Sequence, residues 1–320
     1  MRAIIHTRYG TPDVLSLAEV PTPTPAPDEV LIEVHAAAIN RTDIGFRQAA
    51  PFFVRVFSGL RRPKYTILGT EVAGVVTAVG ADVTKFAIGD RVFGVNANHF
   101  GTHAEYVCMK QTAPLAKMPD AMSFVDGAGM CDGMILAINC TRRMQLGPQH
   151  RLVIHGSSGA IGTAAVQLAR HAGAHVTAVC GPDQLVLMKE LGADEVIDRT
   201  TTDFTAIGRQ WDIVFDAVGK LGFRHCAKAL VKRGLWVTTD LGSFWQNPLL
   251  ALVTRRLPMK TATLPIPPYR QADVELLAQL WTDGHYRAVI DRVQPMEEFL
   301  DATRYVESEQ KIGNVVLTMR

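Results

Sequence analysis

Three glycines, Gly156, Gly159 and Gly162, stand at every third position directly after a short apolar run, Leu152 to Ile154. The run has the length of a buried parallel strand. Behind the glycines, Ala164, Ala165, Val166, Leu168 and Ala169 put small and apolar residues on a helical face. His175 to Cys180 then reads as a second strand. Glycines let a backbone approach a pyrophosphate closely, and the N-terminus of the following helix offers unpaired N–H groups and the positive end of a dipole. Strand, glycine turn, helix and strand in succession form a dinucleotide-binding unit. The turn as a whole, Gly156, Ser157, Ser158, Gly159, Ala160, Ile161 and Gly162, is expected to contact the cofactor. The competing reading is a tight structural turn without a ligand.

A second group with chemical capacity is Asn40 and Asp43, which follow the alternating run Glu29 to Ala38 at the kind of strand end where sites are built. Other candidates are weaker. His99 and His103 are four apart, but Gly101 breaks any helix between them, so they make a poor metal pair. His35, alone on a strand, reads as structural. The five cysteines, Cys108, Cys131, Cys140, Cys180 and Cys226, are scattered and include no C-x-x-C pair. Free thiols in a reducing, cytoplasmic compartment fit them better than disulfides or a four-cysteine zinc site.

Around these residues the elements fall into two groups. Met1–Thr7, Val14–Val20, Glu29–Ala38, the glycine-punctuated run Ile67–Gly94 and Gly101–Met109 read as strands of a β-rich region. Pro21 to Pro27 is a stiff connector. The segment 51–64 mixes aromatic residues with Arg55, Arg61, Arg62 and Lys64, and reads as a lid, a partner surface or a solvated loop. Asp120–Met144 turns helical and leads into α/β alternation, with strands at Trp211–Gly219 and Gly234–Gly242. Ligands of doubly wound sheets lie outside the carboxyl ends of strands, so Val218, Gly219, Leu241 and Gly242 are predicted to line the cofactor crevice. A further strand falls within residues 252–265, and a helix ends at Gly284. The tail, 285–320, supplies strand, helix and strand, and is read as returning to the β-rich region.

At 320 residues, 48% hydrophobic and 20% charged, the chain suits about two globular domains. A formal net charge of +2 gives no reason to expect a nucleic-acid partner. The first residues have no apolar core of a secretory signal. The most apolar stretch, Ile67 to Val79, contains Glu71 and is too short to span a membrane.

The motifs AAAINRTD, LGTEVAGVVTAVGADVTKFAIGDRVFG, GTHAEYV, HGSSGAIGTAAVQLA, LGADEVID, FDAVG and KIGNVVLT together resemble the medium-chain dehydrogenase/reductase superfamily. Within it the chain is similar to the zinc-free quinone oxidoreductase branch. The resemblance implies an α/β protein with a GroES-like β-rich catalytic domain, residues 1–121 and 285–320, and an inserted Rossmann domain with a doubly wound parallel sheet, residues 122–284. It also implies an active site in the cleft between domains, and a homodimer. Zinc-dependent members carry a cysteine near the strand end where this chain has Asn40, and G-H-E where it has Gly69-Thr70-Glu71. No metal site is therefore expected, and no Lewis acid to activate an alcohol.

Many dinucleotide units that prefer NAD have an acid at the end of the second strand. Here that place is Val179-Cys180-Gly181. With no carboxylate to repel a 2′-phosphate, and with Arg199 standing where relatives often carry a tyrosine beside the adenosine phosphate, NADPH is expected over NADH. The implied reaction is hydride transfer to a quinone or an α,β-unsaturated carbonyl. Asn40 is the candidate to orient the acceptor carbonyl or the nicotinamide edge, and Asp43 to hold the loop or relay a proton. Phe46, also counted with the catalytic residues, replaces a tyrosine that relatives often have. Leu136 removes a polar contact in a segment where relatives often read L-T-A. Two alternatives stay open: a zinc-free alcohol or aldehyde oxidoreductase, and a low-turnover NADPH-binding scaffold.

Overall fold

The computed structural model describes residues 1–50, 52, 54–97, 99–242, 246–254, 260–263 and 268–319. The chain begins with an antiparallel pair, β1 (Arg2–His6) and β2 (Leu15–Glu19). The long strand β3 (Glu29–Ile39) follows, with Val30, Ile32, Val34 and Ala36 fully buried on one face as its alternation requires. Burying side chains such as Ile32 contributes roughly 2 kcal/mol each. Helix α1 (Arg41–Gln48) starts one residue beyond β3, where the sequence reading assigned no element. A single turn, α2 (Val54–Ser58), comes next. The run predicted to hold several short strands gives β4 (Glu71–Val79) and the start of β5 (Arg91–Val95). After them come β6 (Tyr106–Lys110), β7 (Leu115–Lys117) and α3 (Phe124–Ala128). Helix α4 (Cys131–Met144) is separate from α3, so the predicted helical stretch is broken at Gly129.

The inserted region alternates strand and helix: β8 (Arg151–His155), α5 (Ala160–His171), β9 (His175–Cys180), α6 (Leu185–Glu190), β10 (Glu195–Asp198), β11 (Trp211–Asp216), α7 (Phe223–Cys226), β12 (Leu230–Thr238), α8 (Gln246–Thr254) and β13 (Thr261–Thr263). Its sheet has the order β10-β9-β8-β11-β12-β13, and every pairing is parallel. The order reverses between β8 and β11, which is the switch point where doubly wound sheets bind ligands. The strand predicted within 252–265 is the short β13; Leu252 to Thr254 belong to α8, and part of that prediction lies outside the described residues.

After β13 come α9 (Gln271–Thr282) and, in the tail, β14 (Ile290–Pro295), α10 (Phe299–Glu307) and β15 (Asn314–Thr318). β15 runs antiparallel to β3 with Val315 opposite Ile39, completing a seven-stranded sheet of order β14-β15-β3-β4-β5-β7 with β6 also on β3. Two compact units result: Met1–Asp132 with Tyr269–Arg320, and Gly133–Pro268. Their borders differ from the expected 121/122 and 284/285. The first falls inside α4, and the second lies before α9, whose Gln271 amide donates to the Leu115 carbonyl at 3.0 Å.

Candidate active site and cofactor cradle

The glycine turn connects β8 to α5. Gly156 has φ +72°, and a Cβ there would stand 2.5 Å from Val218 Cγ1. A Cβ on Gly162 would stand 2.3 Å from the Gly156 carbonyl and 2.6 Å from Ser157 Cα. The fold itself therefore demands both residues. Gly159 differs: it is the N-cap of α5 with φ −77°, and the nearest atom to its hypothetical Cβ is 3.8 Å away. Among the described residues, no neighbour requires glycine there. The space it leaves lies at a helix N-terminus whose first N–H groups have no partner within the helix, which suits a phosphate. Ser157 is fully buried, and both its hydroxyl, at 3.0 Å, and its backbone N–H, at 3.2 Å, donate to the Val179 carbonyl, so it holds the turn against β9. Ser158, Ala160 and Ile161 are half-exposed around the same turn.

Across the switch point, buried Asp216 closes the exit of β11. It accepts from the backbone N–H of Gly219 at 3.1 Å and of Leu221 at 2.7 Å, and its Oδ1 lies 3.1 Å from His155 Nδ1. Val218 and Gly219 are thereby fixed beside Gly156. Gly219 in turn packs against Asp240, whose carboxylate accepts from the Gly242 N–H at 2.6 Å, and Leu241 precedes it. On the other side, the Arg199 N–H donates to the Cys180 carbonyl at 2.9 Å, and the Arg199 side chain is exposed next to Cys180 and Gly181. Gly181 has an ordinary φ of −76°, and its nearest contact would be the mobile end of Gln184. The sequence-predicted cofactor residues thus converge on one edge of the parallel sheet. That edge fits a dinucleotide: a backbone cradle at Gly159, an uncharged strand end at Cys180 and Gly181, and a cation at Arg199.

The other predicted residues sit where β3 meets α1. Asn40 is the N-cap of α1. Its Oδ1 accepts from the N–H groups of Thr42 at 2.9 Å and Asp43 at 3.2 Å. Its Nδ2 donates to Thr70 Oγ1 at 2.8 Å and to Glu71 Oε2 at 3.4 Å. The amide is thus committed through both of its polar atoms. Asp43 completes a capping box by accepting from the Asn40 N–H at 2.9 Å, and its other oxygen accepts from the Gly69 N–H at 2.9 Å. Burial raises the Asp43 pKa against the opposing pull of His103. Phe46 packs its ring 4.5 Å from Phe100 and 6.4 Å from Tyr65, in an aromatic cluster.

Behind Asn40 lies a set of buried ionisable groups that sequence reasoning largely missed. Glu71 opens β4 and is 1% exposed. Its Oε1 accepts from the Asp132 backbone N–H at 2.8 Å, and the Tyr269 hydroxyl donates to Asp132 Oδ1 at 2.8 Å. Burial, reinforced by the charge of Asp132, lifts Glu71 to about 8. Burial lifts Asp132 to about 6, opposed by the Tyr269 hydroxyl. Lys311 is pushed down by burial, against the attraction of Glu71. The one available signal was an acid inside the most apolar stretch of the sequence, which marks a carboxyl that must be buried and partnered. Cys131 is also buried, and its thiol is raised well above its usual value by burial, so it behaves as an inert small side chain.

This corner does not suit zinc. The positions where zinc dehydrogenases carry cysteine and histidine are here an amide and a hydroxyl bonded to each other. His103 spends its Nε2 on the Ala38 carbonyl at 2.9 Å. Among the described residues, no group of three or more His, Cys, Asp or Glu is arranged to hold a metal ion.

Comparison with known proteins identifies the family and the fold. Residues 26–120 match the alcohol dehydrogenase GroES-like domain family, and residues 191–317 match the zinc-binding dehydrogenase family. Over 307 residues the chain is 30% identical to a chloroplastic quinone oxidoreductase, QR1, of Triphysaria versicolor, covering 91% of this chain and 90% of that protein. It is 28% identical to a chloroplastic NADPH-dependent alkenal/one oxidoreductase of Arabidopsis thaliana, covering 99% and 79% respectively. The solved quinone oxidoreductase of Coxiella burnetii superposes with a TM-score of 0.88 at 25% identity, over 100% of this chain and 99% of that one.

Proposed function

The chain belongs to the medium-chain dehydrogenase/reductase superfamily, among relatives that are quinone and alkenal oxidoreductases, and from that premise we propose a zinc-independent, NADPH-dependent reductase of quinones or α,β-unsaturated carbonyls. The observation that carries this reading is Gly159 at the N-terminus of α5, where a Cβ would come no closer than 3.8 Å to a described neighbour, on the sheet whose adjoining strands β9 and β10 lead to residues 180–181 and Arg199. When bound, the nicotinamide supplies the hydride. The chain's own residues do the rest. The turn 156–162 receives the pyrophosphate at the first backbone N–H groups of α5, from Ala160 to Gly162, Val218, Gly219, Leu241 and Gly242 border the crevice, and the Arg199 fork takes the 2′-phosphate.

Hydride arrival on an enone or quinone leaves negative charge on the acceptor oxygen. In our reading that oxygen lies near the corner of β3 and α1. Asn40 and Asp43 keep this corner rigid through the capping box, and Phe46 contributes an apolar wall. Glu71, held protonated past neutrality by burial, places no opposing charge behind it. Activity on a fixed acceptor is accordingly expected to decline as pH rises through about 8. The five free cysteines favour a reducing, cytoplasmic setting. The family resemblance favours a homodimer. Among the described residues, no helix is long and apolar enough to cross a membrane.

The test is NADPH oxidation, followed at the nicotinamide absorbance, with a benzoquinone and a short 2-alkenal, beside NADH and with a chelator in one arm. Turnover that prefers NADPH and ignores the chelator supports the proposal. Equal rates with NADH would overturn the assignment of Arg199, and loss of activity on chelation would overturn zinc independence.

A further inference from the structure

Between Asp43 and Glu71 the sequence contains no acid, yet it carries Arg55, Arg61, Arg62 and Lys64. The same stretch holds the most exposed large apolar side chains described in this part of the chain. Phe52, Val56, Phe57 and Leu60 are 74%, 70%, 65% and 70% exposed. Val56 and Phe57 lie on α2, Phe52 stands just before it and Leu60 just after it, so the exposed apolar side chains cluster on and around this one turn.

The orientation of this cluster is built in. On the inner side, Val54 and Ser58 are buried, Ser58 Oγ lies 2.9 Å from the Tyr9 hydroxyl, and that hydroxyl donates to the Gly59 carbonyl at 2.6 Å. Arg55 lies over the rings of Tyr9 and Phe52, at 4.9 and 5.3 Å. Gly59 then ends the helix at φ +117°, where a Cβ would meet the Arg62 carbonyl at 2.1 Å. The chain folds back so that the Lys64 N–H reaches the Ser58 carbonyl at 2.6 Å. Arg61, Arg62 and Lys64, all exposed, are thereby brought beside the apolar cluster.

We propose that the exposed side chains of Phe52, Val56, Phe57 and Leu60, with Arg61, Arg62 and Lys64, dock this protein on an anionic lipid bilayer, the apolar cluster entering the acyl boundary and the cations seated among acidic headgroups. Charge complementarity selects this occupant. Aliphatic and aromatic side chains beside three exposed cations, with no acid in the stretch, match an interface that is apolar at one depth and negative at the next. The inference is independent of the proposed reductase activity, because it uses no residue of the cofactor edge or of the Asn40 corner.

Sedimentation of the full chain with phosphatidylcholine vesicles, with and without phosphatidylglycerol, tests it. Each cation near such a surface contributes enough that three together predict about a hundredfold tighter binding to the anionic vesicles, lost at high salt. The triple variant Arg61→Gln/Arg62→Gln/Lys64→Gln should forfeit that factor. The variant Val56→Ser/Phe57→Ser/Leu60→Ser should bind anionic vesicles at least about tenfold more weakly, since it removes the buried apolar area. All six side chains are exposed, so both variants should keep the wild-type unfolding midpoint. No vesicle binding by the wild type, or full binding by both variants, overturns the proposal. A wild-type dimer that the apolar variant turns into a monomer would assign the patch to a second copy of the chain instead.

Discussion

In the turn Gly156–Gly162 the protein works with backbone: two glycines are demanded by close approach within the fold, and the third, Gly159, has room for a Cβ 3.8 Å from the nearest described neighbour. In the corner after β3 it works with side chains, and these come from distant places. Asn40, Glu71, Asp132 and Tyr269 form one chain of hydrogen bonds, with Lys311 within electrostatic reach. The first region needs only consecutive residues and one helix to exist. The second exists only when β3, β4, α4 and the tail are all in place. A backbone cradle tolerates a change of side chain wherever there is room for a Cβ. A buried ionisable network responds to pH and to the loss of any one member.

The sharpest way to break the comparison is at Gly162. Its Cβ would collide with the backbone of Gly156 and Ser157, so Gly162→Ala should cost on the order of 3 kcal/mol in stability and abolish NADPH binding with it, read by urea unfolding and fluorescence titration. An unchanged unfolding curve would show that the turn has slack it is not credited with.

At the other region the largest effect is on pH dependence. Glu71 has a folded-state pKa of about 8 against an ordinary 4.5. Below the lower value both states hold the proton. Between the two, only the unfolded chain has released it, so stability falls as pH rises, and the fall ends above the higher value. Asp132, raised by the same burial, contributes in the same direction. Glu71→Gln removes the titration. Relative to this variant, the wild type should therefore lose on the order of a few kcal/mol between pH 5 and pH 8 in urea unfolding. Parallel pH profiles for the two proteins would contradict the burial account.

Much of this was legible in the sequence, and what was not has a physical reason. The parallel sheet and its glycine turn were visible because strand, turn and helix are adjacent in the chain. Helix α1 was missed although its cap, Asn40 followed three positions later by Asp43, was in view. Its body, with Gly45 at the centre, gives little helical periodicity. Helix α9 was recognised as a helix but grouped with the wrong neighbours, since an amphipathic face does not say which sheet it covers. The acid network was invisible for a different reason. Its hydrogen bonds join residues 61 and 137 positions apart, and no local pattern announces such a meeting.

Two smaller changes sharpen the comparison further. Arg199→Gln should weaken NADPH binding by roughly tenfold or more while leaving NADH unchanged, since a charge-assisted bond to phosphate is removed. Equal loss for both cofactors would place the arginine elsewhere than at the 2′-phosphate. Asn40→Ala should cost about 1 kcal/mol through the lost cap, with a lower unfolding midpoint as the readout. No change would mean that the capping box does not hold the corner.

The most direct test of the central claim, that the room at Gly159 belongs to the cofactor and not to the fold, is NADPH titration of Gly159→Ala by calorimetry beside its thermal unfolding. The account predicts an unfolding midpoint close to wild type, because the Cβ has 3.8 Å of clearance, together with NADPH affinity reduced by about tenfold or more because the methyl group intrudes on the pyrophosphate. Wild-type affinity in this variant, or a loss of affinity no larger than its loss of stability explains, would contradict it.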